Sequence, residues 1–235
     1  MEELICGKYR MQIPDAQFAL STDSMALTDF AQVKKGARVC DLGCGCGALG
    51  LLLLRDHPDA HVTGIELLPD AAAQARKNID ANRLSASFSV VTGDLRAHRT
   101  LLPASAFDVV VSNPPYFPAA SSGVSPDDAR AVARSEVCCP LDALCACAAY
   151  ALRFGGDLFL VHRPERLTDL LCTLRAHALE PKRLRLVRHH AGADASLVLL
   201  AARRGGRPGL TLEPELLLFM PDGAPSAEYQ RIYHR

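Results

Sequence analysis

The chain of 235 residues alternates between short apolar runs and longer segments in which apolar residues recur every three or four positions. Short apolar runs predict buried strands, and the longer period predicts helices that pack one face on a sheet. The predicted strands are 37–42, 61–65, 86–92, 107–112, 157–162, 183–188 and 196–202. The predicted helices are 48–55, 70–82, 141–153 and 166–178.

The order of these elements predicts the fold class. Strands that alternate with helices pair in parallel through right-handed crossovers, which gives an α/β fold with a doubly wound, mostly parallel seven-stranded sheet. The short connection between the last two strands predicts an antiparallel hairpin at one edge. We expect a main domain over 29–209, an N-terminal appendage over 1–28 that covers the site, and a C-terminal tail over 210–235 packed on the same domain.

Composition narrows the class of protein. The formal net charge is zero, but residues 1–149 carry 13 Lys and Arg against 17 Asp and Glu, whereas 150–235 carry 13 against 9. The basic second half is either a surface for phosphates or a solvated face. Nine cysteines without a Cys-x-x-Cys pair indicate reduced thiols rather than disulfides or zinc. No apolar run approaches the ~20 residues that span a bilayer. We expect a cytoplasmic monomer with no metal and no membrane contact.

Asp41-Leu42-Gly43-Cys44-Gly45-Cys46-Gly47 directly follows the first strand of the predicted sheet. Glycines at such a turn let a ligand approach the backbone. The spacing Gly-x-Gly-x-Gly differs from the Gly-x-Gly-x-x-Gly of dinucleotide-binding folds. Glu66 ends the second strand, where a carboxylate either accepts the ribose hydroxyls of a nucleoside cofactor or favours a helix N-terminus. Asp94 follows the third strand, where it can accept from an adenine amino group.

Asn113-Pro114-Pro115-Tyr116 follows the fourth predicted strand and is the most specific motif of the chain. An amino group on an aromatic base is a poor nucleophile, because its lone pair is delocalised into the ring. The Asn113 side-chain oxygen and the Pro114 carbonyl can both accept from such an amino group, and Pro115 stiffens the turn. Tyr116 offers a face on which a base can stack. These four residues are the predicted catalytic residues.

Together these motifs resemble the class-I methyltransferases of the Asn-Pro-Pro-Tyr type, which have a Rossmann-like fold. The segments 18–27, 133–136, 180–184 and 228–233 are also similar to bacterial tRNA1(Val) adenine-37 N6-methyltransferases. The resemblance implies S-adenosylmethionine as the methyl donor, with Gly43 and Gly45 near its methionine part and Thr22-Asp23 over its amino-acid end. A helix N-cap is an equally good reading of 22–24. The full set of expected cofactor contacts is Thr22, Asp23, Asp41, Gly43, Cys44, Gly45, Gly47, Glu66, Leu67, Asp94, Leu95 and Asn113.

The resemblance implies N6-methylation of an adenine in a structured RNA, at position 37 of a tRNA anticodon loop. A base in such a loop is unpaired, so it can be flipped out and stacked at low cost. Residues 117–137 are expected to form a mobile loop over the site. Enzymes that methylate rRNA guanine N2, DNA adenine N6 or a release-factor glutamine use the same motif and remain alternatives, as does a non-catalytic RNA-binding scaffold. Candidate phosphate contacts are Lys8, Arg10, Lys182, Arg183, Arg185, Arg188, Arg203 and Arg204.

Overall fold

The computed structural model describes residues 2–5, 8–13, 21–114 and 140–233. Its strands are β1 (Glu2–Ile5), β2 (Tyr9–Gln12), β3 (Arg38–Leu42), β4 (His61–Glu66), β5 (Phe88–Thr92), β6 (Phe107–Ser112), β7 (Leu152–His162), β8 (Leu179–Arg188), β9 (Ala195–Arg204), β10 (Thr211–Leu212) and β11 (Leu216–Leu217). Its α-helices are α1 (Thr22–Phe30), α2 (Ala48–Asp56), α3 (Pro69–Ala81), α4 (His98–Leu101), α5 (Leu141–Ala151), α6 (Leu167–Ala176) and α7 (Ala227–Tyr233).

The strands of the main sheet lie in the order β10-β8-β9-β7-β6-β3-β4-β5, and β11 also pairs with β8. Strands β3 to β7 pair in parallel, whereas β9 runs antiparallel to both β7 and β8. The predicted α/β class, the mostly parallel sheet and its antiparallel hairpin are confirmed. The two-residue strands β10 and β11 were not predicted, because segments so short carry no periodicity.

Helices cover both faces of the sheet, and side chains of each strand alternate between them. Val109 and Val111 of β6 pack in the core beneath α1, α2 and α3, whereas Val110 packs beneath α5 and α6. This two-sided burial accounts for the continuous apolar run in β6. Among the described residues, no helix is long and apolar enough to cross a bilayer.

The boundary between α5 and β7 differs from the prediction. We expected the helix to reach Arg153 and Gly155-Gly156 to close it, but β7 begins already at Leu152. The pairing of β6 with β7 shifts between Phe107 and Val109, and Gly155 adopts a left-handed φ of 76°. A Cβ on Gly156 would lie 2.9 Å from the Asp108 carbonyl oxygen. The two glycines therefore permit an irregular strand, which sequence periodicity does not distinguish from a helix end.

The N-terminal hairpin β1–β2 is fastened to α3 by two asparagines one helical turn apart. Asn82 accepts from the Arg10 N–H at 2.9 Å and donates to the Arg10 carbonyl at 2.6 Å. Asn78 accepts from the Gln12 N–H at 2.9 Å and donates to the Gln12 and Cys46 carbonyls at 3.2 and 3.0 Å. Both side chains thus satisfy the free edge of β2 as a neighbouring strand would. Asn78 also joins the hairpin to the glycine-rich turn after β3.

We expect Asn78→Ala to lower the free energy of unfolding by about 2 kcal/mol, because it leaves buried backbone groups without partners. Asn82→Ala is the matched control, since its bonds to Arg10 are exposed to water; its cost should be about 0.5–1 kcal/mol. Urea unfolding followed by circular dichroism measures both values. An equal cost for the two variants would contradict the proposed anchoring role of Asn78.

Candidate cofactor and catalytic site

The predicted cofactor-binding and catalytic residues that the structure describes lie near the carboxyl edge of the sheet. Strands β5, β4, β3 and β6 are consecutive neighbours, and the chain leaves β3 toward β4 but returns on the opposite side of β3 as β6. The strand order therefore reverses between β3 and β6, which is where open α/β sheets form a ligand crevice. The Ser112 hydroxyl donates to the Leu42 carbonyl at 2.7 Å and ties the ends of these two strands together.

The turn after β3 lies tightly against the end of β4. The backbone N–H groups of Gly43 and Cys44 both donate to the Ile65 carbonyl at 2.9 Å. Gly43, Gly45 and Gly47 have φ values of 77°, 55° and 90°, a region that residues with a side chain rarely adopt. Nothing lies within 4 Å of a Cβ built on Gly43. The turn thus leaves open space beside its backbone, as a bound ligand requires.

Glu66 stands at the centre of this edge. Its two carboxylate oxygens accept from the N–H groups of Gly45 and Leu68, each at 2.8 Å, and the side chain is buried. Burial raises the pKa of Glu66, and the N–H groups of Leu68, Gly45 and Leu67 oppose that shift. Glu66 consequently bridges the glycine-rich turn and the start of α3, and both readings of this residue find support: it borders the crevice and it binds the helix N-terminus.

Asp41 is a buried acid whose charge is poorly compensated. Only 1% of its surface is exposed, and its Oδ2 atom has no hydrogen-bond partner among the described residues. Burial and the nearby Glu66 carboxylate raise the pKa of Asp41 to about 7, against a lowering by the Gly50 N–H. An unpaired buried carboxylate oxygen is unfavourable unless a donor reaches it. The arrangement therefore suits a ligand that brings a cationic or hydrogen-bond-donating group.

Asp94 lies beyond β5 and is engaged locally. It caps a short 3-10 turn (Leu95–Ala97), accepting from the Arg96 N–H at 2.8 Å and from the Arg96 guanidinium at 2.9 Å. The hydrogen bonds from Arg96 lower the pKa of Asp94. Leu95 packs in the core beneath α5, and Leu67 is half-buried. The Asp94 carboxylate can therefore accept a hydrogen bond from a ligand, but it also accepts hydrogen bonds from Arg96.

Helix α1 brings the N-terminal segment to the catalytic motif. Asn113, directly after β6, donates from its side-chain nitrogen to the Ser24 hydroxyl at 3.1 Å. Ser21 caps the helix by accepting from the Ser24 N–H at 3.3 Å. The cap is therefore one residue earlier than the 22–24 segment suggested. Thr22 lies 3.1 Å from the Tyr233 hydroxyl of the C-terminal helix. Asp23, which lies between Thr22 and Ser24, is half-buried.

Sequence reasoning did not assign Ser24 or Tyr233 to the site. Both act across large sequence separations of 89 and 211 residues, which no local pattern encodes. Pro114 is buried beside Asn113, whereas Pro115, Tyr116 and the expected loop at 117–137 lie outside the described residues.

Most of the candidate phosphate contacts have partners within the chain. Lys8 and Lys182 donate to the carbonyls of Arg55 and Arg207, and Arg203 pairs with Asp157 at 2.8 Å. Arg204 donates to the Ser105 hydroxyl, and the backbone of the exposed Arg10 is held by Asn82. Three arginines of β8 pair with acids of the C-terminal segment: Arg183 with Glu213, Arg185 with Glu228 and Arg188 with Glu215.

These three pairs fasten the C-terminal segment to the edge of the sheet. Arg231 of α7 also pairs with Asp29 of α1 at 2.7 Å. The alternation of basic and apolar residues in β8 is therefore used at least in part for internal packing. An RNA contact of these arginines stays a prediction.

Known proteins resemble this chain in sequence and in fold. The family described as Methyltransferase small domain matches residues 19–171. A tRNA1(Val) (adenine(37)-N6)-methyltransferase of Porphyromonas gingivalis is 37% identical over 150 residues, which cover 63% of this chain and 58% of that protein. The chain thus spans less than two thirds of that relative. A protein of the same name from Aeromonas salmonicida is 30% identical over 92% of this chain and 88% of its own length.

A solved structure from Agrobacterium tumefaciens, described as a predicted O-methyltransferase, superposes with a TM-score of 0.73. It covers 90% of this chain and 95% of its own, at 23% identity, and so supports the fold alone. The family match, the relatives and the sheet order agree with one another. The chain belongs to the methyltransferase small domain family and has the class-I methyltransferase fold, whose methyl donor is S-adenosylmethionine.

Proposed function

We propose that this protein transfers a methyl group from S-adenosylmethionine to the N6 nitrogen of an unpaired adenine in RNA, at position 37 of a tRNA anticodon loop. The observation that carries the proposal is the position of Asn113 and Pro114, directly after β6 and beside the crevice between β3 and β6. The names of the relatives support the choice of base and RNA. An rRNA guanine, a DNA adenine or a protein glutamine would use the same two acceptors.

The residues of the crevice fit the cofactor. The backbone of Gly43 and Gly45 would lie along its methionine part, and Glu66 would accept from its ribose hydroxyls. The unpaired oxygen of Asp41 suits its ammonium group, and Asp94 would accept from its adenine amino group. The remaining expected contacts are Thr22, Asp23, Cys44, Gly47, Leu67, Leu95 and Asn113. When bound, the cofactor supplies an electrophilic methyl group on a sulfonium ion.

The catalytic residues act by hydrogen bonding and alignment. The Asn113 side-chain oxygen and the Pro114 carbonyl would accept the two N–H groups of the adenine amino group. These bonds draw the nitrogen lone pair out of the ring and direct it along the line of transfer. The nitrogen becomes acidic once it carries the methyl group, so its proton leaves to solvent without a strong base. Rate enhancement then comes mainly from positioning, with Tyr116 as the proposed stacking surface.

We further propose that the protein acts in the cytoplasm as a monomer and without a metal. An RNA substrate and the free thiols of the described cysteines, which are buried except for Cys172, support the compartment. Within the described ranges, no group of three potential ligands is arranged to hold a metal ion. The division into a main domain with an N-terminal appendage and a C-terminal tail belongs to the same proposal.

The direct test is methyl transfer from labelled S-adenosylmethionine to unmodified tRNA, with nucleoside mass spectrometry of the product. Wild-type protein should yield N6-methyladenosine, and Asn113→Ala should lose at least about 100-fold in turnover, because one of two acceptors is missing. Its affinity for S-adenosylhomocysteine should fall far less than its turnover, by no more than about 5-fold, because Asn113 is only one of several expected cofactor contacts. Asn82→Ala is the control for an asparagine remote from the crevice.

Equal turnover in Asn113→Ala would overturn the mechanism. Label in rRNA or in a protein glutamine, with none in tRNA, would retain the chemistry and reject the proposed substrate.

Cofactor binding should depend on pH through Asp41. Burial raises its pKa from 3.8 to about 7, so this group makes the folded protein less stable as pH rises from about 4 to about 7. A bound ammonium group would favour the ionised carboxylate. The Kd for S-adenosylhomocysteine should therefore fall about 10-fold between about pH 6 and about pH 8, with release of a proton.

Isothermal titration calorimetry in buffers of different ionisation enthalpy measures both the Kd and the proton release. In Asp41→Asn the pH dependence over this range should disappear. If Asp41→Asn keeps the wild-type pH dependence, another group is responsible.

Binding of tRNA should weaken with salt if the basic residues contact phosphates. Between about 50 and about 200 mM salt the affinity should fall steeply, and loss of one phosphate contact should lower the log–log slope by about 1. We expect Arg10→Ala to do so, because this side chain is on the exposed face of β2. Arg185→Ala should instead destabilise the C-terminal segment through loss of the bond to Glu228. Filter binding and thermal melting distinguish the two; salt-independent binding would reject the RNA surface.

A further inference from the structure

The side-chain amide of Asn113 has two chemically different ends of nearly the same shape. Its oxygen accepts hydrogen bonds and its NH₂ group donates them. The proposed reaction needs the amide oxygen to face the substrate amino group. If the NH₂ end faced the substrate instead, two hydrogen-bond donors would meet and no hydrogen bond could form. A half-turn about the last side-chain bond exchanges the two ends. A neighbour with a defined hydrogen-bonding role must therefore select one orientation.

Ser24 is that neighbour. Its hydroxyl oxygen accepts from the Asn113 side-chain nitrogen at 3.1 Å, and the serine is only 7% exposed. The Ser21 hydroxyl also donates to the same oxygen at 3.4 Å. In both bonds Ser24 is the acceptor, so the observed arrangement places the NH₂ end of the Asn113 amide against Ser24. The amide oxygen of Asn113 accordingly lies at the end turned away from Ser24.

Helix α1 holds Ser24 in place. The Ser24 carbonyl accepts from the Thr28 hydroxyl at 2.8 Å, and the following residues Met25 and Leu27 are fully buried in the core beneath the helix. At the start of the helix, Thr22 is fixed to Tyr233. Ser24 cannot move away from Asn113 without disrupting this packing.

We propose that Ser24 is a positioning residue, which sets the orientation of the Asn113 amide and so turns its oxygen toward the substrate amino group. This inference rests on the proposed function. It assigns the N-terminal helix a role in the methyl-transfer step, in addition to its expected place beside the cofactor.

The first measurement is steady-state kinetics on tRNA. Ser24→Ala should lower kcat about 30-fold, because the amide loses its preferred orientation, while KM for tRNA and the Kd for S-adenosylhomocysteine stay within about 2-fold. Ser24→Thr keeps the hydroxyl and should recover most of the loss. Asp29→Asn is the matched control: it removes the ion pair of α1 with Arg231 but leaves Ser24 and Ser21 in place, and kcat should stay within about 3-fold of wild type.

A double-mutant cycle separates orientation from general packing. In Asn113→Asp, both ends of the side chain are acceptors, so a half-turn changes nothing. Ser24→Ala should then cost less than about 3-fold in the Asn113→Asp background, against about 30-fold in wild type. Equal costs in the two backgrounds would overturn the proposal, because Ser24 would then act only through the stability of α1.

A readout without turnover keeps this inference distinguishable from the proposed function. The side-chain NH₂ of Asn113 is identified in an NMR spectrum by its loss in Asn113→Ala. In Ser24→Ala its hydrogen exchange with water should become at least about 10-fold faster, since the bond to the Ser24 hydroxyl is gone. An unchanged exchange rate would reject the role of Ser24 even if the enzyme methylates tRNA. A wild-type protein that methylates no RNA but shows this change would reject only the proposed function.

Discussion

The reversal of strand order at β3 is the constraint on which the site depends. The chain leaves β3 toward β4 and β5 and returns on the other side as β6, so the connections after β3 and β6 diverge at the carboxyl edge. The crevice between them receives the glycine-rich turn from one side and Asn113 from the other. The bond between Ser112 and Leu42 fixes the spacing of the two strand ends. The strand order thus brings the predicted cofactor-binding turn and the predicted acceptor residue Asn113 to the same crevice.

Buried charges and hydrogen bonds determine the chemical character of the crevice. Asp41 and Glu66 place two carboxylates in a poorly solvated space, where burial raises the pKa of both and the Glu66 carboxylate adds to the rise at Asp41. In the proposed function, the ammonium group and the ribose hydroxyls of the cofactor offset this unfavourable arrangement. At the far side of α1, the pair between Arg231 and Asp29 and the contact between Thr22 and Tyr233 hold the helix. The C-terminal helix therefore supports the segment that contacts Asn113, the proposed catalytic residue.

The sequence predicted the parts of this arrangement that depend on local pattern. Hydrophobic periodicity predicts the seven main strands, because each strand is buried on one or both faces. The alternation of strands with helices predicts the α/β fold class, and the strand ends predict the positions of Glu66 and Asn113. Contacts between distant segments could not be predicted. Asn78 reads as an ordinary residue of an amphipathic helix, yet it holds β2; Ser24 reads as a helix cap, yet it contacts Asn113. Such contacts depend on tertiary packing, which leaves no periodic signal.

The arginines of β8 give a second example of a contact that the sequence could not predict. Their alternation indicates one basic face, but the pattern contains no information about which partner covers it. In the structure the acids of the C-terminal segment lie against Arg183, Arg185 and Arg188.

A crystal structure with a non-reactive cofactor analogue and a tRNA anticodon stem-loop would show the proposed hydrogen bonds directly. We expect the adenine N6 nitrogen within hydrogen-bonding distance of the Asn113 side-chain oxygen and the Pro114 carbonyl. A target base bound elsewhere, or the Asn113 NH₂ group facing the base, would overturn the proposed mechanism.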